Sequence, residues 1–282
     1  MSDYSSLFHT PEFTEADFQK ISRLVYEKSG IHLTDSKKEL VKARLGKRLR
    51  RGRFKSFAEY YRHVVNDPTG QEIVLLLDSI STNFTQFFRE PQHFDYLQEQ
   101  VLPALRLRGG RHRRKVRIWS AGCSSGEEPY SIAITLLETL TPLSEWQIQI
   151  LATDISTKVL AEAQKGIYLW EKVAHLPMPL LKKYFLKGEG RWASHVQVKA
   201  EVKGLVRFQR LNLMEPFAFP EPFDCIFCRN VMIYFDKKTR EDLINRLYDC
   251  LEPGGVLFIG HSESLTGMRS LFHYIKPAVY KK

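Results

Sequence analysis

Several residue types that mark particular protein classes are scarce in this chain. Its 282 residues include only 4 cysteines, 16 glycines and 13 prolines, which excludes a disulfide-rich scaffold, a collagen-like repeat and an extensively disordered chain. No stretch of about 18 apolar residues occurs, so we expect no membrane-inserted segment. The first residues lack the basic and then apolar pattern of a signal peptide, and the cysteine content suits reduced thiols. Both features predict a cytoplasmic protein.

Two of the four cysteines have a spacing that can bind zinc or form a redox pair. Cys225 and Cys228 form a C-x-x-C sequence. The sequence contains no second pair, and the surrounding residues predict a buried strand, in which residues three apart point to opposite faces. We therefore interpret these cysteines as packing residues and predict no metal site.

The charge balance is basic, with 42 lysines and arginines against 32 aspartates and glutamates, a net charge of +10. A surface of this sign favours an anionic partner, which can be nucleic acid, a membrane surface or an acidic protein. Part of the excess positive charge lies in residues 1–82, which we predict to be an all-helical domain. From Lys37 to Lys55, ten basic residues are opposed by Glu39 alone. The leucines predicted to form the inner face of this basic helix are Leu40, Leu45 and Leu49.

After a linker and lead-in helix at residues 83–114, the pattern changes to alternating strands and helices. This alternation predicts an α/β domain with a doubly wound parallel sheet over residues 115–282. Apolar strands are predicted at 116–119, 148–153, 223–229 and 256–259. Residues 172–207 break the alternation with prolines, glycines and one half-exposed strand pattern, and we predict a small antiparallel β insertion there.

Ligands of a doubly wound sheet bind at the carboxyl ends of its strands. The first strand leads through Gly122 and Gly126 to Glu127 and Glu128, and the second strand ends at Asp154. An acid at the end of the second strand accepts hydrogen bonds from ribose hydroxyls. Acids beside the turn repel a pyrophosphate and attract an ammonium or sulfonium group. These residues favour S-adenosylmethionine over NAD or FAD, the alternative being an ordinary turn whose glutamates interact with the helix dipole.

The third strand is followed by Arg229 and Asn230. Methyltransferases that act on amines often carry Asn/Asp-Pro-Pro-aromatic in this place, where carbonyl groups accept the N–H groups of the amine. An arginine suits an anionic acceptor instead, which argues against the nucleic-acid methyltransferase that the net charge alone suggests. A further segment, Thr82–Arg89, is amphipathic. It either contributes to the site or forms a solvated linker with an apolar anchor.

These features stand in a specific order along the chain. The segments are TNFTQFFR at 82–89, GEEPYS at 126–131, ATDI at 152–155, NL at 212–213, FDCIFCRNVMIYF at 223–235 and GHSE at 260–263. In these segments and their order the sequence resembles the bacterial chemotaxis receptor methyltransferases, the CheR family. The resemblance runs from about Phe13 to Tyr280 and includes the basic helix and the insertion.

The resemblance implies a Rossmann-like class I methyltransferase sheet preceded by an all-α N-terminal domain. It also implies the reaction, in which S-adenosylmethionine methylates glutamate side chains of chemoreceptor cytoplasmic helices and gives glutamate methyl esters and S-adenosylhomocysteine. A glutamate with a pKa of about 4.3 is already ionised at neutral pH. The reaction therefore needs no general base, and we interpret His261 as structural.

The resemblance also assigns roles to individual residues. Those implied to bind the cofactor are Asn83, Thr85 and Arg89 from the linker, Glu128 at the methionine ammonium, Asp154 at the ribose, Asn212 with Leu213 near the adenine, and Arg229 with Asn230 at the reacting end. Arg89 and Tyr234 are predicted to hold the acceptor carboxylate. Ser120 and Ser124 replace an acid and a glycine of the usual class I loop, which leaves open which loop atoms contact the cofactor.

Two surfaces are implied to bind the receptor. The basic helix Lys37–Lys55 would dock on an acidic helical bundle by charge attraction. The insertion, with its Gly188–Gly190 loop, resembles a β-subdomain with which some family members bind a C-terminal receptor pentapeptide by strand addition. The alternatives for the basic helix are a solvated charged face and a nucleic-acid surface, although we expect no nucleic-acid partner. The alternative functions for the whole chain are a nucleic-acid methyltransferase and a cofactor-binding scaffold without activity.

Overall fold

The structure, a computed structural model, describes residues 11–108 and 114–282, without the side chain of Arg108. The chain divides into two compact units. The helical unit comprises the residues up to Thr82 together with Tyr234–Asp236, and the sheet unit comprises Asn83–Ile233 and Lys237–Lys282. The N-terminal residues that bear on a signal peptide, and residues 109–113 of the predicted linker at 83–114, lie outside the described residues.

The described part of the helical unit contains α1 (Glu15–Ser29), α2 (Lys38–Gly52), α3 (Phe57–Asn66) and α4 (Gln71–Ile80). A capping box begins α1, because the Thr14 hydroxyl accepts a hydrogen bond from the Asp17 N–H and the Asp17 carboxylate accepts one from the Thr14 N–H. The apolar faces of the helices form the core of this unit. Its buried side chains include Phe18, Val25, Leu45, Tyr60 and Leu77.

The inner face of α2 differs by one leucine from the prediction. Val41, Leu45 and Leu49 are at most 1% exposed, and residues four apart lie on the same face of a helix. Leu40 is 41% exposed, so its assignment to the inner face is wrong. It precedes Leu45 by five residues, which at 3.6 residues per turn rotates its side chain toward solvent.

The strands of the sheet unit are β1 (Arg114–Ala121), β2 (Trp146–Asp154), β3 (Ile167–Leu169), β4 (Phe185–Lys187), β5 (His195–Val198), β6 (Val206–Arg210), β7 (Phe223–Cys228), β8 (Leu251–Ile259), β9 (His273–Lys276) and β10 (Val279–Lys281). The main sheet has the order β6-β2-β1-β7-β8-β10-β9. Its first five strands in that order are parallel, and β10 pairs antiparallel with both β8 and β9. The order reverses between β1 and β7, where a doubly wound sheet binds ligands. The predicted α/β fold class is confirmed.

The helices of the sheet unit are α5 (Gln92–Tyr96), α6 (Leu102–Arg108), α7 (Glu127–Thr139), α8 (Thr157–Lys165), α9 (Met178–Tyr184), α10 (Ala200–Lys203) and α11 (Lys237–Asp249), and a π-helical turn, Leu97–Val101, joins the first two. The core of the unit is formed by buried residues of β1, β7, β8 and α7. Over residues 11–108 and 114–282, no helix is both long enough and apolar enough to cross a membrane.

The small antiparallel sheet has the order β3-β5-β4. It begins at Ile167, before the predicted limit of 172, and Val206–Arg210 is an edge strand of the main sheet that pairs with β2. Strands of three residues, such as β3 and β4, are too short to show a period-2 pattern. The sequence therefore indicates the insertion but not its limits.

Candidate active site

The turn between β1 and α7 is sharply bent and bonded to the end of β2. Gly122 and Gly126 have φ values of 86° and 95°, which glycine adopts readily. A Cβ atom on Gly122 would lie 2.4 Å from Val231 Cγ2. The N–H groups of Gly122 and Cys123 donate to the Thr153 carbonyl at 2.8 and 2.9 Å. They are thus engaged within the chain, which supports the argument against a pyrophosphate ligand in this turn.

Asp154 ends β2 and is 8% exposed. Its carboxylate accepts hydrogen bonds from the Ser124 N–H at 2.8 Å and the Ser156 N–H at 2.9 Å. The first bond holds the β1–α7 turn against the end of β2. A carboxylate that ends the second strand of such a sheet is the usual hydrogen-bond acceptor for a ribose diol, so this corner fits that ligand.

Arg229, which follows β7, is the centre of a buried group that we name the charge cluster, formed by Arg229, Glu90 and Glu128. The Arg229 side chain is 2% exposed, and its guanidinium lies 3.0 Å from Glu90 Oε2 and 3.0 Å from Glu128 Oε2. It also donates to the Arg89 carbonyl. Glu128 Oε1 accepts a hydrogen bond from the Ser120 hydroxyl at 2.7 Å. The anions that this arginine binds are therefore carboxylates of the chain itself.

The two glutamates of the charge cluster have opposite pKa shifts. Burial raises the pKa of Glu128, and the nearby charge of Arg229 offsets only part of the rise. Burial acts in the same direction on Glu90, but Arg229 and the backbone N–H of His261 outweigh it and lower the pKa of Glu90. His93 is fully buried beside them, and burial, followed by the Arg229 charge, lowers the pKa of His93 to about 3.

Glu90, His93 and His261 bring possible metal-ligating atoms within 4.8 Å of one another. At the same carboxylate, Arg229 Nη2 lies 3.0 Å from Glu90 Oε2. The guanidinium already supplies a positive charge to Glu90, and a metal ion there would be repelled by it. This geometry supports a charge network rather than a metal centre.

The segment that leads from the linker into the sheet unit is fixed by hydrogen bonds. The Asn83 carbonyl accepts from the Ser124 hydroxyl at 2.9 Å. Thr85 is 8% exposed, and its carbonyl accepts from Lys172 Nζ at 3.1 Å. Lys172 also binds Glu127 Oε1 at 3.2 Å. The segment is therefore attached to the β1–α7 turn and is not a freely solvated linker.

Arg89 has surroundings unlike those of Arg229. Its guanidinium lies 5.5 Å from the centre of the Phe84 ring and donates to the Phe84 carbonyl at 3.1 Å. The side chain is partly exposed. In the described part of the chain, no carboxylate forms an ion pair with it. Arg89 is thus a cation that can bind an external anion.

Asn212 and Leu213 follow β6 and are 5% and 8% exposed. The Leu211 N–H donates to the Asp154 carbonyl at 3.0 Å, which brings this turn beside the end of β2. The Asn212 side-chain oxygen accepts from the Met214 N–H at 3.0 Å. Asn212 therefore shapes its own turn, and Leu213 is a buried residue of that turn.

Asn230 adopts a left-handed conformation, with φ of 59°. Its N–H and that of Gly260 donate to Glu263 Oε2 at 2.9 and 2.6 Å. A Cβ atom on Gly260 would lie 2.5 Å from Asn230 Nδ2, so glycine allows this close approach. Tyr234 belongs to the helical unit, where its carbonyl accepts from the His32 N–H at 2.8 Å.

Sequence reasoning missed three residues that organise the site. Glu90 binds Arg229, Glu263 holds the Asn230 corner, and Lys172 joins Thr85 to Glu127. Glu90 and Glu263 could have been found from the sequence, because Glu90 directly follows the TNFTQFFR segment and Glu263 is the last residue of GHSE. Lys172 lies in the insertion, where no local pattern marks it.

A Rossmann-like sheet with a glycine turn after β1, an acid ending β2 and a charge cluster after β7 fits the class of S-adenosylmethionine-dependent methyltransferases. The chain matches the family model of the CheR methyltransferase SAM binding domain over residues 83–280 and that of the CheR methyltransferase all-alpha domain over residues 16–81. It belongs to the CheR methyltransferase family and is an S-adenosylmethionine-dependent methyltransferase.

Named relatives are similar along almost the whole chain. The chemotaxis protein methyltransferase of Borreliella burgdorferi is 44% identical over 272 residues, which cover 95% of this chain and 95% of that protein. The chemotaxis protein methyltransferase 2 of Pseudomonas aeruginosa is 43% identical over 279 residues, which cover 98% of this chain and 97% of that protein. Among solved structures, the glycopeptide N-methyltransferase MtfA complexed with S-adenosyl-L-methionine is 16% identical, with a TM-score of 0.35. The match covers 62% of this chain and 54% of that chain.

Proposed function

We propose that this enzyme methylates glutamate side chains of chemoreceptor cytoplasmic helices, in the cytoplasm, and forms glutamate methyl esters and S-adenosylhomocysteine in chemosensory adaptation. The observation that carries this proposal is the contrast between two arginines. Arg229 is bound by two carboxylates of the chain, whereas Arg89 is partly exposed and has none. A site with such a cation suits a carboxylate acceptor better than an amine.

The cofactor side of the proposal rests on acids at the start of α7 and at the end of β2. The charge cluster combines two carboxylates with one guanidinium, and a net negative charge favours a cationic ligand. We assign Glu128 to the methionine ammonium and Asp154 to the ribose. The remaining residues assigned to the cofactor are Asn83, Thr85, Arg89, Asn212, Leu213, Arg229 and Asn230.

The acceptor side needs binding and orientation but no proton transfer. When bound, S-adenosylmethionine supplies a methyl group on a positively charged sulfur. We assign Arg89 and Tyr234 to hold the acceptor carboxylate in line with that group. Correct positioning of reacting atoms accounts for a large part of the rate in such reactions. The acceptor is ionised at neutral pH, so a histidine base is not required.

The receptor contacts are proposed for two separate elements. On the helical unit, the exposed basic residues of α2 and its flanks offer a surface for an acidic helical bundle. On the small sheet, β4 is an edge strand, with Leu186 52% exposed. An extended peptide can add to such an edge, which supports capture of a receptor C-terminal pentapeptide.

The test is transfer of labelled methyl from S-adenosylmethionine to chemoreceptor-bearing membranes, followed by mild alkali. We expect label on the receptor and its release as methanol, because a carboxylate ester is hydrolysed under these conditions. Alkali-stable label would contradict the ester and indicate a methylated amine. Label on added RNA or DNA instead of the receptor would favour the nucleic-acid methyltransferase.

A further inference from the structure

The stretch between β3 and α9, which belongs to the insertion, is bonded to the segment Asn83–Arg89. Lys172 Nζ donates to the Thr85 carbonyl at 3.1 Å, and His175 Nε2 donates to the Phe87 carbonyl at 3.1 Å. Carbonyls two residues apart in the segment are therefore held by side chains of one short stretch. The insertion thus fixes the backbone of the segment at two points.

The small sheet packs against the same segment through aromatic rings. Phe87 is fully buried, and the centre of its ring lies 5.0 Å from that of Tyr168 in β3 and 5.3 Å from that of Phe185 in β4. Both pairs have the edge-to-face arrangement that aromatic side chains favour. The Tyr168 hydroxyl also donates to the Ser125 carbonyl of the β1–α7 turn at 2.7 Å. The small sheet therefore supports both the segment and the turn.

Glu127, the first residue of α7, has no role in the cofactor assignments. Its side chain is 1% exposed, and its Oε2 accepts from the Ser125 hydroxyl at 2.7 Å. Over residues 11–108 and 114–282, the cation that pairs with it is Lys172, whose Nζ lies 3.2 Å from Glu127 Oε1. A buried carboxylate is strongly destabilising when its counter-ion is removed. A buried charge therefore sets the position of the Lys172 ammonium.

This arrangement fixes two residues that are assigned to the cofactor. The Asn83 carbonyl accepts from the Ser124 hydroxyl at 2.9 Å, whereas the Thr85 carbonyl is held by Lys172. The β1–α7 turn thus fixes one of these residues and the insertion fixes the other. Groups that are already ordered bind a ligand without the entropic cost of ordering them. Removing the bond to the Thr85 carbonyl would restore that cost.

We propose that Lys172 is a positioning residue for S-adenosylmethionine. It acts through Glu127 and Thr85 and holds the segment Asn83–Arg89 in the conformation that binds the cofactor. This inference rests on the proposed function, because it uses the cofactor residues assigned there. The small sheet accordingly has a role in cofactor binding that is separate from the capture of a receptor peptide at the edge of β4. Lys172 contributes to cofactor affinity and not to affinity for the receptor.

The test is the Kd for S-adenosylhomocysteine, measured by calorimetry on the full chain. Lys172→Met keeps the length of the side chain but removes its charge and its donors. We expect it to raise this Kd about tenfold, the size of one hydrogen bond to a charged group. Lys182→Met is the matched control, because Lys182 is an exposed lysine of α9 in the same insertion, and it should leave the Kd within about twofold. Lys172→Arg restores a cation and should regain most of the affinity.

A second variant separates positioning from the effect of an unpaired buried charge. Lys172→Met leaves Glu127 without its counter-ion, which also lowers stability. Glu127→Gln combined with Lys172→Met removes both charges, so its urea midpoint should be closer to that of the unmodified protein. Its Kd for S-adenosylhomocysteine should remain weak, because the Thr85 carbonyl still lacks its donor. A normal Kd in this double variant would overturn the positioning role.

The receptor gives the readout that a merely structural residue would not separate. At saturating S-adenosylmethionine, the KM for the receptor should be the same in Lys172→Met and in the unmodified enzyme. Equal Kd values for Lys172→Met and Lys182→Met, with alkali-labile receptor methylation intact, would overturn this inference and leave the proposed function standing. A raised receptor KM with an unchanged Kd would also overturn it, as would a Kd for Lys172→Arg as weak as that of Lys172→Met. Failure of the unmodified enzyme to form an alkali-labile product would instead reject the proposed function.

Discussion

Basic residues have different surroundings in the two units of the molecule. In the sheet unit, Arg229 is 2% exposed and lies between the carboxylates of Glu90 and Glu128. In the helical unit, Lys47 and Arg51 of α2 are exposed to solvent. A buried guanidinium is stable only when its charge is compensated, whereas water solvates an exposed one. The same residue type therefore organises a site in one unit and remains accessible to a partner in the other.

The largest effect is expected from removing the buried cation. Arg229→Ala leaves Glu90 and Glu128 buried without their counter-ion, and we expect it to lower the free energy of unfolding by about 3–5 kcal/mol. The matched change Arg51→Ala should alter it by no more than about 0.5 kcal/mol. All 4 tryptophans lie in the sheet unit, so tryptophan fluorescence in urea reports the first change and far-ultraviolet circular dichroism the second.

Neutralising the partners is the control for this explanation. Glu90→Gln with Glu128→Gln should make the unfolding cost of Arg229→Ala smaller, because fewer uncompensated charges remain. If Arg229→Ala is as mild as Arg51→Ala, the two arginines do not differ in the way that their surroundings indicate.

The second effect concerns turnover rather than stability. Arg89→Ala removes a side chain whose hydrogen bond is to the Phe84 carbonyl at 3.1 Å, so the fold should be little affected. If Arg89 orients the acceptor carboxylate, kcat should fall by about 10²-fold. Arg207→Ala, which removes an exposed arginine of β6, is the control for a general loss of positive charge. Near-normal turnover of Arg89→Ala would remove it from the acceptor site.

The parts of the molecule that could be predicted from sequence are those with local signals. Apolar runs predicted β1, β2 and β7 within a few residues, and the position of Asp154 followed from the end of β2. The partners of Arg229 could not be predicted in this way, because Glu90 lies 139 residues before it in the chain. Such a contact depends on how the segment before α5 packs against the end of β7, which no local pattern of the sequence encodes. An isolated sequence shows an arginine but not whether its charge is compensated.

The third effect compares a buried histidine with an exposed one. Burial and the charge of Arg229 lower the pKa of His93 to about 3, compared with about 6.5 in an unfolded chain. Below pH 6.5 the unfolded chain thus binds a proton that the folded protein does not, so stability is full above pH 6.5 and falls as the pH decreases toward 3. Between pH 7 and pH 5 this loss is about 2 kcal/mol.

His93→Leu should remove this part of the pH dependence, measured as the urea midpoint at pH 7 and pH 5. His273→Leu, at an exposed position of the same unit, is the matched control for replacing a histidine by leucine. Its change in urea midpoint between the two pH values should equal that of the unmodified protein. An unaltered pH dependence in His93→Leu would mean that His93 is not kept neutral in the folded protein.

The smallest effect is expected on the surface of α2. Lys47→Glu with Arg51→Glu should raise the KM for the receptor up to about tenfold and weaken its dependence on salt, since exposed charges are screened beyond about 10 Å at 0.1 M. The Kd for S-adenosylhomocysteine should not change. Initial rates of receptor methylation at several ionic strengths measure both quantities.

Arg48 separates docking from stability on the same helix. Its guanidinium binds Glu72 at 2.8 and 2.6 Å, and the Glu72 side chain is 8% exposed. Arg48→Glu therefore places two carboxylates together and should lower the thermal stability of the helical unit, an effect that Lys47→Glu and Arg51→Glu lack. If the exposed pair changes neither KM nor its salt dependence, then the α2 surface is only a solvated face. The charges that matter for the receptor would in that case have to lie elsewhere.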